Sequence, residues 1–323
     1  MWTAHYQAPS KSLWTGRDDE PNARLFQCMQ CIDLVNDGFP SAEGMAIALI
    51  GFACDEGVRR NSGRVGAKEG PSAIRCALAN LAIYPSVSQS IYDFGDIICD
   101  DQDLEAAQSA LATLVEQCVS NGCFPLVLGG GHEVAWGHYQ GLLAAKKDEN
   151  VAIINFDAHF DLRPLSSNGQ GSSGTPFTQA ALACEQANKP FNYLCLGVQP
   201  FANTASLFTR ADDMGCEYVL AEQFFQRTAD IVKIADEFIE QHQHIYLTVC
   251  LDVFNSAYAP GVSAPQSVGL APWHITPPFQ HILSSNKVIG CDIVELAPCF
   301  DVNHQTARLA AYFVGECIKQ LLN

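Results

Sequence analysis

The run NFDAHFD (155–161) places Asp157, His159 and Asp161 at alternating positions, at the end of the apolar segment VAIINFDAH (151–159). On an extended segment, residues two apart point to the same side, so all three side chains can face one pocket. Alone, each has a bland explanation: an Asp can cap a helix or start a turn, and a His can satisfy a core hydrogen bond. Together, unpaired, they would repel one another or stay desolvated, and nothing structural needs them to converge. A bound cation is the economical explanation. His132 follows three glycines in GGGHE (129–133), which permit a tight turn or close backbone approach at a strand end. A capping imidazole would suit that place, but beside the Asp/His run His132 reads as a further ligand. Glu133 suits the helix N-terminus, and His138, a turn and a half further on, points elsewhere. In VCLDVF (249–254), Cys250 and Asp252 alternate in the same way. Cys250 stands between two readings, a small buried thiol on a strand and a donor on the pocket face.

These groups need elements that bring them to one place. Short apolar runs at 45–52, 124–130, 151–159, 192–198, 244–254 and 287–296, with a weaker one at 217–220, read as parallel strands covered on both faces. Helical stretches at 71–82, 103–121, 133–146, 177–187, 228–242, 273–285 and 304–322 alternate with them. The alternation predicts one doubly wound α/β domain over residues 1–323. In such a sheet, ligands sit beyond the carboxyl ends of the strands. GGGHE, DAHFD, CLD and VEL all fall at or near predicted strand ends.

The chain has 323 residues, 48% of them hydrophobic and only 16% charged, so it can bury a large core. Its net charge of −17 argues against nucleic acid as a partner. The 14 cysteines are scattered through apolar runs, which suits reduced thiols in a cytoplasmic protein better than a disulfide framework. Cys28 and Cys31 form a lone CxxC, read as two thiols on a helix. The N-terminus lacks the pattern of a signal peptide. No apolar stretch reaches the roughly 18 residues needed to span a bilayer, so no membrane partner is expected.

Over nearly its whole length the chain resembles the ureohydrolase family of arginases, agmatinases and formimidoylglutamases. The carriers are GGGHE (129–133), NFDAHFD (155–161), LTVCLDVFNSAYAPGVSAP (247–265), DIVELAP (292–298) and GVRRNSGRVGAKEGPSAIR (57–75). Within the family, SSGTPF (172–177), GVRRNSGR and APGVSAP look most like the formimidoylglutamases. The resemblance implies a three-layer αβα fold with a central parallel sheet of about eight strands. It also implies two Mn²⁺ ions bridged by hydroxide, and assembly into a homo-oligomer. His132, Asp157, Asp161 and position 250 would bind one ion, and Asp157, His159, position 250 and Asp252 the other. Most relatives carry a bridging aspartate at position 250, so Cys250 departs from the pattern and is expected to weaken one site.

The implied reaction is hydrolysis of N-formimidoyl-L-glutamate to L-glutamate and formamide, with Asp161 holding or relaying a proton and Glu295 contacting the cationic group. A dicarboxylate substrate needs local positive charge in so acidic a chain. Arg163 follows the Asp/His run, and Arg59, Arg60 and Arg64 cluster after the first strand. Arginine is the natural carboxylate clamp because its planar fork binds both oxygens, although solvated surface arginines would look the same in sequence. Ser172, Ser173 and Thr175 offer hydroxyls to the same carboxylates or serve only their own loop. The competing readings are another ureohydrolase (arginase, agmatinase or guanidinobutyrase) and a non-catalytic relative with a degraded metal site, which Cys250 favours.

Overall fold

The computed structural model describes residues 2–18, 20–41, 44–83, 91–147, 149–225 and 228–322. Eight strands run parallel through its centre: β1 Ala46–Ala53, β2 Ile91–Ile98, β3 Cys123–Leu128, β4 Val151–Phe156, β5 Tyr193–Val198, β6 Glu217–Leu220, β7 His244–Cys250 and β8 Val288–Val294. They lie side by side in the order 2-1-3-8-7-4-5-6. Two two-residue strands extend the β2 edge: Tyr6–Gln7 antiparallel and Gln30–Cys31 parallel. Every residue of β3, β4 and β5 is buried, as expected of strands covered on both faces.

Eight longer helices supply the cover: α1 Gly70–Ala79, α2 Leu104–Ser120, α3 Val134–Lys146, α4 Pro176–Gln186, α5 Ala205–Asp213, α6 Thr228–Glu240, α7 Pro272–Ser284 and α8 Gln305–Leu322. Their apolar faces fall into two separate cores. Ile74 of α1, Phe238 of α6, Phe279 of α7 and Phe313 of α8 pack on one face of the sheet. Leu111 of α2, Tyr139 of α3, Phe177 of α4 and Leu207 of α5 pack on the other. The result is the expected three-layer αβα arrangement.

Four strand predictions overrun. The apolar runs ending at 130, 159, 254 and 296 stop as strands at Leu128, Phe156, Cys250 and Val294. The residues beyond are buried loops, which a hydropathy pattern cannot tell from strand. Two of the longer elements escape the pattern altogether. Helix α5 buries only Leu207 and Ala211, too little for an apolar period. Strand β2, IYDFGDII, holds Asp93 and Asp96 inside what should be an apolar run.

A buried cation makes β2 possible. Arg75, 1% exposed, donates from Nε and Nη2 to the Asp93 carboxylate at 3.0 and 2.9 Å, and from Nη1 to Asp96 at 2.6 Å. Trp14 Nε1 adds a donor to Asp93 at 2.8 Å. Removing one partner from such a pair leaves a buried charge without compensation. Arg75→Met should therefore lower unfolding free energy by about 3–5 kcal/mol in a denaturant titration; a loss below about 1 kcal/mol would show that the pair contributes little.

Candidate metal centre and substrate pocket

Four adjacent strands at the middle of the sheet, β3, β8, β7 and β4, deliver the candidate ligands from their carboxyl ends. After β3 the chain turns through Gly129–Gly131, tied down by Gly130 N–H to Phe52 O at 2.8 Å and Gly131 N–H to Cys54 O at 3.0 Å. A Cβ at Gly130 would lie 1.7 Å from the Cys54 carbonyl oxygen, so only glycine fits. His132 follows at once, with its N–H donated to Glu295 Oε1 at 2.8 Å.

The loop after β4 does not follow the extended path expected from alternation. Asp157 Oδ1 accepts from His159 N–H at 2.7 Å, closing a turn. Asp161 then takes a left-handed backbone, φ +48°. The three side chains converge because the loop bends, not because a strand alternates. Likewise Cys250 ends β7, while Asp252 sits in a single 3₁₀ turn, Leu251–Val253. Glu295, just past β8, also has positive φ, +72°. Left-handed non-glycine residues are costly and tend to persist at functional sites.

Two donor groups result, each with its ligand atoms within 4.8 Å of one another: His132, Asp157 and Cys250, and Asp157, His159 and Asp252. Asp157 belongs to both. Cys250 joins the first and not the second. Asp161 belongs to neither group, although its Oδ2 lies 3.0 Å from His132 Nδ1, beside Asp157 Oδ2 at 2.9 Å. Neither oxygen lies where an Nδ1–H could donate to it, so among the described residues Nδ1 has no hydrogen-bond partner although it is buried. The same holds for Asp252 Oδ1 and Glu295 Oε2. Inward-facing lone pairs of this kind are what a cation binds, and the oxygen and imidazole donors suit a hard divalent ion.

Electrostatics agree. Burial pushes the Asp252 carboxyl up to about 6 against the pull of His159. Burial and the neighbouring Asp157 charge also raise Asp161. Burial raises Glu295 and the Cys250 thiol well above their usual ranges, helped in each case by nearby carboxylates. Burial opposes charge on His132 and His159, but the carboxylates beside them prevail and raise both well above the ordinary imidazole value. Burial works against Asp157 ionisation too, yet the two imidazoles hold its carboxyl below the usual range. The site holds more buried acid than its own imidazoles balance.

Above these groups lies a cavity of about 280 Å³. His132, His159, Asp161, Cys250, Asp252 and Glu295 form its floor, and Arg163, Arg64 and Ser173 stand on its walls. Among the described residues, the exposed Arg163 guanidinium has no ion-pair or hydrogen-bond partner. Gly174 leaves it room, since a Cβ there would fall 2.7 Å from Arg163 Cδ. Arg64 is held by the Val262 and Ser263 carbonyls, with its guanidinium 4.1 Å from the Phe300 ring centroid.

The other expected substrate contacts do not line the cavity. Arg59 pairs with Glu56 at 2.6 Å. Arg60 pairs with Glu56 and with Glu105, at 3.0 and 2.6 Å, and also holds the Gly171 carbonyl. Both arginines are satisfied by local acids, which a sequence count of positive charge cannot reveal. Ser172 Oγ accepts from Gly174 N–H, and Thr175 Oγ1 from Ser172 N–H at 2.8 Å, so both hydroxyls shape their own turn. Asn61 and Asn203 do line the cavity and were not anticipated. Asn61, inside GVRRNSGR, donates to Ser173 Oγ at 3.2 Å. Asn203 straps the bent loop by accepting from Phe160 N–H at 3.1 Å and donating to Ala158 O at 2.8 Å. His138 points away into the core, as expected.

Residues 45–319 match the model of the arginase family. A formimidoylglutamase of Legionella pneumophila (strain Lens) is 44% identical over 317 residues, 98% of each chain. A solved formimidoylglutamase from Bacillus subtilis superposes with a TM-score of 0.83 at 23% identity, covering 95% of this chain and 94% of that one. A Trypanosoma cruzi formiminoglutamase solved with Mn²⁺ gives a TM-score of 0.78 at 28% identity, covering 88% and 97%.

The raised groups fix how pH acts on the protein without metal. An acid or imidazole whose folded pKa is raised stabilises the fold below its unfolded pKa and loses that contribution as pH rises through the folded value. For Asp252 the loss runs from about 4 to about 6, and for the two imidazoles from about 6.5 upward. Chelator-treated protein should therefore melt at a higher temperature at pH 5.5 than at pH 8, and added Mn²⁺ should stabilise it more at pH 8. Asp252→Asn should flatten the slope below pH 6.5. Scanning calorimetry showing the reverse trend would remove this account.

Proposed function

The chain belongs to the arginase family, and from that premise we propose that it hydrolyses N-formimidoyl-L-glutamate to L-glutamate and formamide. One observation carries the reading. Two donor groups that share the buried Asp157 lie at a cavity that, among the described residues, also presents an unpartnered carboxylate oxygen, Glu295 Oε2, and an unpartnered guanidinium, Arg163. A cationic amidine joined to a dicarboxylate suits those two features, and the relatives named formimidoylglutamase select this amidine within the family.

His132, Asp157, Asp161 and Cys250 would hold one Mn²⁺, and Asp157, His159 and Asp252 the other. Bound there, the ions supply Lewis acidity, which makes hydroxide available near neutral pH and steadies charge developing at the amidine carbon. Glu295 is fixed by the His132 N–H through Oε1, which leaves Oε2 to accept from the amidine N–H groups and orient them. Asp161 accepts the proton of the attacking water and returns it to the amine of glutamate as the C–N bond breaks; burial and the Asp157 charge keep its carboxyl ready to hold that proton. Arg163 takes a substrate carboxylate, with Arg64, Ser173 and Asn61 beside it. The catalytic domain is taken as the whole chain.

Purified protein loaded with manganese should release formamide from N-formimidoyl-L-glutamate, with kcat/KM at least about 100-fold higher than for arginine, agmatine or guanidinobutyrate. Equal or greater turnover of a guanidine compound would overturn the substrate assignment. Arg163→Ala should raise KM by about 10- to 100-fold, the loss of one charged hydrogen-bond pair, with bound manganese unchanged. Cys250→Asp should tighten manganese binding and remove sensitivity to peroxide, because a thiol is softer than Mn²⁺ prefers and can be oxidised.

A further inference from the structure

The run NFDAHFD opens on a residue that neither the ligand set nor the substrate pocket uses. Asn155 is a polar side chain inside the apolar strand β4, and it is 0% exposed. Tyr193, at the start of β5, is also buried. It lies opposite Ile153 in the parallel ladder, so it shares a face of the sheet with Asn155. Three hydrogen bonds tie the two residues to the loop that carries the ligands. Tyr193 O–H donates to Phe160 O at 3.0 Å. Asn155 Nδ2 donates to the Tyr193 oxygen at 2.9 Å and to Asp157 Oδ2 at 3.2 Å. The other Asp157 oxygen, Oδ1, accepts from His159 N–H at 2.7 Å. Each oxygen of this carboxyl group therefore carries one N–H from the protein. The Tyr193 ring stacks on Phe177 and Phe191, with centroids 4.6 and 5.7 Å away, which keeps the hydroxyl from swinging aside.

We propose that Asn155, itself set by Tyr193, is a positioning residue that fixes the plane of the Asp157 carboxyl group and so aims one oxygen at each donor group. The argument is one of direction, and it needs no charge state. A backbone carbonyl only accepts hydrogen bonds, so the Tyr193 hydrogen goes to Phe160 O. The Tyr193 oxygen is then left to accept, and Asn155 must turn its amino end toward it. An amino group has two hydrogens, and the second falls on Asp157 Oδ2. The same orientation leaves Asn155 Oδ1 buried without a partner among the described residues. An unpaired buried acceptor is costly, so this side chain is held for its donors and not for its packing. Asp157 Oδ2 faces His132 Nδ1 at 2.9 Å, and Oδ1 faces His159 Nδ1 at 3.4 Å. Those imidazoles belong to different donor groups, and Asp157 belongs to both. The two oxygens are fixed in one plane, so a turn that displaces one displaces the other. Hydrogen bonds to a ligating carboxylate orient it in this way.

The inference rests on the reading of Asp157 as a metal ligand, and manganese titration of the chelator-treated protein, followed by electron paramagnetic resonance, separates the two. Affinity is read well below the melting temperature, where a loss of fold stability alone does not move it. Asn155→Leu, close in size and without a donor, should weaken both binding steps by about tenfold or more. Tyr193→Phe, which keeps the ring and removes the hydroxyl, should weaken them by about two- to tenfold, the worth of one neutral hydrogen bond. Phe191→Leu thins the ring stack and removes no hydrogen bond, so it should bind manganese as the native protein does. Should Asn155→Leu fail to fold, Tyr193→Phe and Phe191→Leu carry the comparison by themselves. Unchanged affinity in the folded variants, or a loss confined to one binding step, overturns the positioning role alone. An equal loss in Phe191→Leu points to packing and overturns it too. A native chain that takes up no manganese overturns the positioning role and the metal reading together.

Discussion

Asp157, Asp161, Asp252 and Glu295, with the Cys250 thiol among them, are gathered at the buried carboxyl ends of the central strands, where two imidazoles, His132 and His159, lie against the aspartates. Such a cluster is unstable in a protein core unless protons or a cation neutralise it. Much else in the structure is arranged around that constraint. The turn at Gly130, the left-handed backbone at Asp161 and Glu295, and the Asn203 strap hold the groups where their charges would drive them apart. Strain of this kind persists only where the surroundings over-determine it, and four parallel strands in register provide that rigidity.

The few basic residues are divided by the same logic. Arg75 is enclosed and neutralises two aspartates that would otherwise break β2. Arg59 and Arg60 tie the loop after β1 to nearby acids, and Arg60 to the Gly171 carbonyl. Arg163 alone of the arginines expected at the site stands on the cavity wall without a partner among the described residues. Arg64, the other arginine on that wall, is held by the Val262 and Ser263 carbonyls.

The αβα class, seven of the eight parallel strands and the metal-ligand candidates were legible in the sequence. Buried parallel strands are nearly continuous apolar runs, and an Asp/His run at their ends has few structural explanations. Strand β2 was hidden because its charges are neutralised by Arg75, a residue on a distant element. Helix α5 was hidden because its buried face is narrow. The arginines of the β1 loop could not be sorted, since Arg60 and Arg64 look alike in sequence while one meets Glu105 and the other the cavity.

By itself the sequence determined which chemical groups are present and, β2 and α5 apart, which of the longer segments are strands and which are helices, because both follow from residue type and local period. Only the tertiary structure decided how the groups meet. Asp157, Asp161 and Asp252 converge through bent loops whose geometry depends on partners from other elements, such as Asn203. Cys250 shows the same division. Its type and its place at the end of β7 were readable, but its grouping with His132 and Asp157 rather than with His159 and Asp252 depends on distances between four strands. Contacts of that range are set by packing, and no local pattern encodes them.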